Sequence, residues 1–375
     1  MSDGRPRARD AGVQIGTMDP GPLNAITDVP DVRVGHVTLV NGDGPHRPGK
    51  GPVRTGVSVI LPHSGNMFRE KVPAAVFALN GFGKCIGQEQ IDELGVIESP
   101  IALTGTMNVG ILADGLIQHA INLNPDCGVS TSTVNPVVTE CSDAFLNDQH
   151  GRHVRQHHVL EAIDGARQGR VPEGNVGAGT GMSLFGFKGG IGTASRVLSD
   201  DFGGYTVGAL VLGNCGTSDQ LRINGAPVGL ELADNLDARA ERDTGSIIIV
   251  IGTNAPMLDR ALGRLARRAG MGLARTGSIA AHGSGDYILA FSNALRVPHE
   301  PESPTLEFKH VVETGPLIDA LFQATIEATE EAIINALFAA ETMTGRDGNA
   351  RYELPIDRTV AILTRYGLMR LPIHR

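Results

Sequence analysis

The sequence predicts an α/β or α+β domain with layered sheets, and three observations carry this prediction. Apolar stretches of strand length and of helix length occur in mixed order along the chain. The run at 247–251 is wholly apolar, as in a buried strand. A helical pattern covers 316–342, the longest in the chain, and predicts either one helix or two in succession. With 375 residues, 41% hydrophobic and 19% charged, the chain can bury a large core and reads as a soluble globular protein.

The first half of the chain is predicted to open with a flexible lead over 1–22, ahead of a single domain over 23–375. Residues that alternate between apolar and polar, or run apolar, predict strands, and recurrence every three or four residues predicts helices. A loop rich in Gly and Pro is predicted at 41–54. The predicted strands are 32–40, 55–61 and 74–79, and the predicted helices are 88–94, 110–121 and 153–167.

The second half follows a glycine-rich stretch at 174–192, whose first part, 174–182, we interpret as close-packed backbone lining a cleft. Residues 226–244 become polar towards their end, so an exposed, mobile loop that tolerates a chain break is expected there. Pro316 suits the first turn of the last long helix. The predicted strands are 205–212, 246–251 and 288–291, and the predicted helices are 257–268 and 316–342.

Composition excludes several classes of function. A net charge of -9 argues against a nucleic-acid partner, which needs a basic face. The four cysteines are widely spaced, which fits neither a disulfide framework nor a zinc site. The start of the chain lacks the apolar core of a signal peptide, and no apolar stretch reaches the ~18 residues that span a membrane. We therefore expect a cytoplasmic protein without membrane or nucleic-acid partners.

The most informative local feature is the junction Gly245-Ser246, directly before the apolar run. A glycine lets a scissile peptide adopt strained or positive-φ geometry without a Cβ clash. The serine hydroxyl can attack the carbonyl of the residue before it. Cleavage then frees an α-amino group with a pKa near ~8, which can act as the general base of the same serine. The alternative is an ordinary Gly-Ser turn before a buried strand.

Two further constellations suit the same chemistry. Ser284 and Asp286 stand two residues apart at the mouth of a predicted strand, so both side chains can share one face. Together they could relay a proton, and the carboxylate could hold a substrate ammonium. Asn214 follows the predicted strand 205–212, where its amide could donate to an oxyanion. The alternatives are a turn that caps a strand at 283–286 and an asparagine in a turn.

Three other patterns do not support a site. Cys215 has no catalytic Cys-His signature around it. The stretch 174–182 departs from a dinucleotide fingerprint at Met182 and lacks the end of a P-loop, so no cofactor is expected. His153 and His157 are spaced for one face of a helix, but without an acidic partner they favour a solvated face over a metal site.

In this order, the motifs resemble the L-aminopeptidase/D-esterase (D-Ala-esterase/amidase) family of self-processing hydrolases, which includes β-peptidyl aminopeptidases and nylon-oligomer hydrolases. The resemblance runs from about residue 21 to 371. The motifs that carry it are Asn24-Ala25-Ile26-Thr27-Asp28-Val29 with Val34-Gly35-His36, Leu103-Thr104-Gly105-Thr106, Pro136-Val137-Val138 with Glu140, Gly174-Asn175-Val176-Gly177-Ala178-Gly179-Thr180-Gly181, Asn224-Gly225-Ala226-Pro227-Val228-Gly229, Gly245-Ser246-Ile247-Ile248-Ile249-Val250, Asn254-Ala255-Pro256-Met257-Leu258 and Gly283-Ser284-Gly285-Asp286.

The resemblance implies a four-layer αββα sandwich, similar to N-terminal-nucleophile hydrolases but with different strand connectivity. It also implies one cut in an inactive precursor, which yields an α chain of 1–245 and a β chain of 246–375. The processed αβ units are expected to form a homo-oligomer, a tetramer by this analogy.

The resemblance also assigns roles to residues. Ser246 matches the nucleophile, and the bond from Gly245 to Ser246 matches the cleavage site. Ser284 matches the serine that contacts the nucleophile, Asp286 lies where relatives carry an acidic residue, and Asn214 matches the asparagine of the oxyanion hole. Some relatives place a catalytic tyrosine soon after the Pro-Val-Val-x-Glu motif, but this chain has none at 141–148.

The predicted function is therefore that of a self-processing serine aminopeptidase or amidase. It would act on peptides, amides or esters with a free amino terminus, without a metal or cofactor. An alternative within the family is a hydrolase of β-peptides or aminohexanoate oligomers. A more distant alternative is a small-molecule-binding protein that has kept the fold and lost the chemistry.

Overall fold

The structure is a computed structural model that describes residues 5–233 and 245–369. Their strands are β1 (Arg33–Asn41), β2 (Val53–Leu61), β3 (Glu70–Gly81), β4 (Cys85–Ile86), β5 (Val96–Ile97), β6 (Ile101–Gly105), β7 (Val137–Cys141), β8 (Ser183–Leu184), β9 (Phe187–Lys188), β10 (Gly190–Val197), β11 (Thr206–Asn214), β12 (Ser246–Thr253), β13 (Gly285–Ser292), β14 (Val297–Pro298), β15 (Met343–Thr344) and β16 (Ala350–Arg351). Their α-helices are α1 (Gln88–Leu94), α2 (Val109–Leu123), α3 (Gln156–Asp164), α4 (Val228–Glu231), α5 (Asp259–Arg275), α6 (Pro316–Ala339) and α7 (Ile356–Arg365).

Two main sheets stack face to face, and helices cover their outer faces. The smaller sheet has the order β1-β2-β6-β7-β4, and the larger has β10-β11-β12-β13-β3-β14, with β5 also paired to β3. Helices α2 and α3 pack on the smaller sheet, and α5 and α6 pack on the larger one. This arrangement confirms the predicted α/β fold with αββα layers. None of the helices in the described residues combines the length and hydropathy needed to cross a membrane.

Strand β12 lies in the middle of the larger sheet and is buried on both faces. Ile248 and Val250 point into the core between the two sheets. Ile247, Ile249 and Ile251 point to the other face, into the core beneath the helices. A strand covered on both sides needs apolar residues at every position, which explains the unbroken run in the sequence.

Helix α6 approaches the larger sheet so closely that one strand residue must be glycine. A Cβ on Gly192 of β10 would lie 2.0 Å from the carbonyl oxygen of Ala332. The helix is continuous from Pro316 and ends at Ala339, three residues before the predicted end. Its polar residues include Glu327 and Glu331, which are buried because they bind the N-terminal segment described next.

Residues 5–22 pack against the domain and do not form the flexible lead that was expected for 1–22. Ala8, Val13 and Ile15 are fully buried in the core beneath the helices. Arg9 forms an ion pair with Glu331 at 2.7 Å. The polar composition of this segment concealed its packing, because its charged groups have buried partners far away in the chain. Residues 1–4 lie outside the described part.

Three other segments differ in detail from the predictions. Helix α3 begins at Gln156 rather than at 153, because His158 accepts a hydrogen bond from the backbone of Arg155 and caps the helix there. The glycine-rich stretch forms a buried 3-10 turn, Gly177–Gly181, that fills space between the sheets rather than lining a cleft. Within the expected loop 226–244, residues up to 233 include the short α4, and residues 234–244 lie outside the described part.

Candidate active site

The predicted site residues meet where three neighbouring strands of the larger sheet have their ends. Asn214 is the last residue of β11, and Ser246, the first residue of β12, lies directly opposite it in the antiparallel register. On the other side of β12, Asp286 of β13 lies opposite Ile247 in a parallel register. Sheet pairing therefore brings together side chains that are up to 72 positions apart in the chain, the distance from Asn214 to Asp286.

The Ser246 hydroxyl is held by backbone. The N–H of Gly285 donates a hydrogen bond to Ser246 Oγ at 3.0 Å. The hydroxyl oxygen accepts this bond and still carries its own proton, which a base can remove. The residue is only 5% exposed, so its hydroxyl is largely shielded from solvent.

Ser284 and Asp286 form a buried pair beside Ser246. Ser284 Oγ donates to Asp286 Oδ1 at 2.6 Å, and the N–H of Ile247 donates to the same oxygen at 3.2 Å. Asp286 is therefore tied to the residue that follows Ser246. Among the described residues, Ser284 makes no direct hydrogen bond to Ser246; the two are linked through Gly285.

The side-chain amide of Asn214 is oriented from both ends. The N–H of Ser183 donates to Asn214 Oδ1 at 2.7 Å, and Asn214 Nδ2 donates to the carbonyl of Ser142 at 3.0 Å. An amide nitrogen carries two hydrogens. Within the described residues the second one makes no hydrogen bond, so it can still serve an incoming oxygen.

Gly245 is required for space. A Cβ on Gly245 would lie 1.7 Å from the carbonyl oxygen of Asn214, a contact that no side chain can make. The close approach of these two segments of the chain is therefore a steric reason for glycine at this position, and the sequence-based argument did not include it.

Glu140 is a buried acidic residue close to this site to which sequence reasoning assigned no role. It belongs to β7, where every residue is buried, and it accepts hydrogen bonds from the N–H of Lys84 at 3.1 Å and from the hydroxyl of Thr106. A Cβ on Gly83 would meet both Gly285 Cα at 3.1 Å and Glu140 Oε1 at 3.4 Å. A carboxylate inside a short strand of otherwise uncharged residues was the signal, since such groups are seldom buried without a reason.

The patterns that were set aside have structural partners. Cys215 is buried in the core. His153 Nε2 donates a hydrogen bond to Asp148 Oδ2 at 3.0 Å, and His46 Nε2 donates to the other oxygen of the same carboxylate at 2.9 Å, so His153 does not lie on a free helix face. In residues 5–233 and 245–369 there is no group of three or more potential ligands placed to hold a metal ion.

A cavity of about 200 Å³ lies beside the loop that carries Ser142. Gln149 lines it and donates to Ser142 Oγ at 3.3 Å. The Gln149 side chain therefore lies between the cavity and Ser142, whose carbonyl binds Asn214. The other lining residues are His46, Met107, Ala144, Asn147, His150 and Arg346.

Comparisons with known proteins place this geometry in context. Residues 24–351 match the family model described as peptidase family S58. The chain is 44% identical over 372 residues to the β-peptidyl aminopeptidase BapA of Sphingosinicella xenopeptidilytica, covering 96% of this chain and 91% of the relative. Among solved structures, a protein from Pyrococcus horikoshii OT3 is 51% identical with a TM-score of 0.92, covering 98% of this chain and all of the other. The L-aminopeptidase D-Ala-esterase/amidase of Ochrobactrum anthropi, reported as a variant of the Ntn hydrolase fold, is 38% identical with a TM-score of 0.89, at 98% and 100% coverage.

Proposed function

This chain belongs to peptidase family S58, and from that premise we propose that its aminopeptidase activity is carried by Ser246 after the Gly245–Ser246 bond is cut. The observation that carries the proposal is the strand register, which sets Ser246 between Asn214 and the Ser284–Asp286 pair. The two products of the cut would be 1–245 and 246–375.

The first reaction acts on the chain itself. Ser246 Oγ attacks the carbonyl carbon of Gly245, and its proton passes to the departing amide nitrogen of Ser246. The resulting ester is hydrolysed by water, which leaves a carboxylate on Gly245 and a free amine on Ser246. The close packing of Gly245 on the backbone of Asn214 supports this step, because the scissile residue lies next to the residue whose side-chain amide is the candidate oxyanion donor.

The second reaction is turnover. With the bond cut, Gly245 can move away from Asn214, which opens a site that is closed in the uncut chain. The new α-amine of Ser246 takes the proton of its own hydroxyl, either directly or through Ser284. Oγ then attacks the carbonyl of a substrate's first residue. The second N–H of Asn214 would stabilise the oxyanion, together with backbone donors.

Recognition of a free amino terminus requires negative charge beside the nucleophile. Asp286 lies close to Ser246, because its carboxylate accepts a hydrogen bond from the N–H of Ile247, the next residue in the chain. Glu140 is also near, since both its carboxylate and the backbone of Gly285 lie next to Gly83. We assign Asp286 to the substrate ammonium, with Glu140 adding negative charge at this end of the site. An ammonium requirement explains the removal of N-terminal residues rather than internal cleavage.

Intact mass spectrometry tests the proposal. The wild type should appear as two chains that correspond to 1–245 and 246–375, and Ser246→Ala should appear as one full-length chain without amidase activity. Ser303→Ala, at an exposed serine far from the site in sequence, is the matched control and should be cut like the wild type. Two chains from Ser246→Ala, or an uncut wild type that is fully active, would contradict the proposal.

A β-amino acid at the substrate N-terminus is the second candidate, favoured by the 44% identity to the β-peptidyl aminopeptidase BapA. Hydrolysis of an α-amino-acid p-nitroanilide, a β-amino-acid analogue and an aminohexanoate dimer separates the candidates. The substrate with the highest kcat/KM identifies the class.

Assembly and location complete the proposal. Ile117, Ile121 and Leu123 expose apolar surface on α2, which supports self-association of processed units, with a tetramer as the expected state. Cys85, Cys127 and Cys141 form no disulfide, as is usual for a protein of a reducing compartment such as the cytoplasm. Light scattering after size exclusion and fractionation of the source cells test these two points.

A further inference from the structure

We propose that Arg351 is a positioning residue for the oxyanion amide of Asn214. The inference rests on the proposed function, which assigns that amide its role, and it adds a residue outside the predicted site. It starts from the fact that two separate segments hold the Asn214 side chain, and that one guanidinium contacts both segments.

The two segments fix opposite ends of the amide. Ser183 of β8 supplies the N–H that Asn214 Oδ1 accepts, and Ser142, just after β7, supplies the carbonyl to which Nδ2 donates. A donor at one end and an acceptor at the other allow only one orientation of the amide group. The direction of the second N–H of Asn214 therefore depends on the distance between these two segments.

Arg351 bridges the two segments. Its Nε donates to the Ser183 hydroxyl at 2.9 Å. Its guanidinium carbon lies 3.6 Å from the centre of the Phe145 ring, three residues after Ser142. The same side chain thus binds one segment by a hydrogen bond and the other by a cation–π contact.

The segment before Arg351 strengthens this bridge. Arg346 Nε donates to the carbonyl of Ala144 at 2.7 Å, and Asn349 Nδ2 donates to the carbonyl of Phe145 at 2.9 Å. These bonds hold the 142–146 loop to the segment 346–351. Within this segment, Arg351 is the residue that also binds Ser183.

The chemistry of arginine suits this task. A planar guanidinium can stack on an aromatic ring with its face while its edge donates a hydrogen bond. A lysine ammonium cannot do both in a fixed geometry. Because a misplacement of about 1 Å at a catalytic group can cost about 100-fold in rate, a looser bridge should slow the chemical step.

A double-mutant cycle tests the inference on the processed enzyme. Arg351→Lys should lower kcat by about 10- to 100-fold and leave KM within about twofold, because an oxyanion donor acts in the transition state. In the Asn214→Ala background, the same substitution should change kcat by less than about twofold, since the group that Arg351 positions is gone. An equal loss in both backgrounds would overturn the inference.

Control variants separate this result from a loss of fold. Arg264 of α5 makes similar contacts, since it stacks on the ring of Phe322 in α6 and donates to the carbonyl of Glu313. These contacts lie in the helical layer and not at the site. Arg264→Lys should leave kcat unchanged. Phe145→Leu removes only the stacking half of the bridge and should give a smaller fall in kcat that also disappears in the Asn214→Ala background; it serves if Arg351→Lys does not fold. Persistence of that fall would overturn the inference.

The proposed function and this inference fail in different ways. If Asn214→Ala itself keeps full kcat, the oxyanion assignment is wrong and the inference falls with it. If Asn214→Ala loses activity while Arg351→Lys does not, or loses it additively, only the role of Arg351 is wrong.

Discussion

Two buried polar clusters lie at opposite ends of the larger sheet, and they differ in how fully their polar groups are committed. The scaffold cluster comprises Arg9, Arg196, Glu327 and Glu331, and the site cluster comprises Asn214, Ser246, Ser284 and Asp286. In the scaffold cluster two cations face two carboxylates. Arg196 is fully buried and binds Glu327 at 3.1 Å and Glu331 at 2.7 Å.

The two carboxylates of the scaffold cluster remain ionised because cations lie beside them. Burial alone would raise the pKa of Glu331, but hydrogen bonding from Arg9 and the charge of Arg196 bring that pKa below its ordinary value. The site cluster contains no cation. Ser246 keeps its proton, and Asn214 keeps one N–H that no described residue accepts. A satisfied network stabilises the fold, whereas a network with spare bonding capacity can act on a substrate.

The largest effect on stability is expected when Arg196 of the scaffold cluster is replaced. Arg196→Met should lower the free energy of unfolding by about 3–5 kcal/mol, because it leaves two carboxylates buried without their shared partner. Urea denaturation measures this loss. The kcat of the molecules that remain folded should not change. A fall in kcat at unchanged stability would show that the scaffold cluster also serves the reaction.

Asn214→Ala should have the opposite profile. Loss of one oxyanion donor typically costs ~3 kcal/mol in the transition state, so kcat should fall by about two to three decades. The free energy of unfolding should change by less than the loss at Arg196, since the amide is only partly committed. Steady-state kinetics and urea denaturation of one sample check both halves. A large loss of stability with little loss of kcat would place Asn214 with the scaffold.

His36 sharpens the comparison as a half-buried group with no matching charge. Its Nδ1 lies 2.7 Å from Ser58 Oγ, and its Nε2 is buried without a partner among the described residues. Burial lowers its pKa from 6.5 to about 4. The unfolded chain therefore takes up a proton that the folded chain refuses, so stability falls as pH drops from about 6.5 to 4.

For the wild type, this group should remove about 2 kcal/mol of stability between pH 7 and pH 5. In His36→Asn the polar contact with Ser58 can persist without a titrating charge, so its loss over the same range should be smaller by that amount. Urea midpoints at the two pH values provide the measurement. Equal losses in both proteins would mean that protonated His36 finds a partner.

The smallest effect is expected for an exposed ion pair. Arg260 lies 2.7 Å from Glu313, but its side chain is 73% exposed. Arg260→Ala should change the free energy of unfolding by at most about 1 kcal/mol and leave kcat unchanged. A larger effect would show that pairing alone, without burial, accounts for the difference between the clusters.

Much of the fold was predictable because the strand and helix signals are local. The predicted strand at 246–251 begins at the observed first residue of β12 and falls two residues short of its end. The predicted helix at 257–268 was too short, since α5 continues to Arg275 through a stretch rich in glycine and arginine. The N-terminal segment was mispredicted, because nothing within residues 1–22 reveals the carboxylates of α6 that bind it.

The sequence by itself determined the layered α/β fold, the family, and the four residues that meet at the strand ends, since periodic patterns and ordered motifs can be read along one chain. The tertiary structure decided which atoms touch. It showed that Gly245 is required by the carbonyl of Asn214, that Ser284 binds Asp286 rather than Ser246, and that Arg351 joins the two segments around Asn214. These contacts depend on strand order and register, which pair residues far apart in the chain and leave no local pattern.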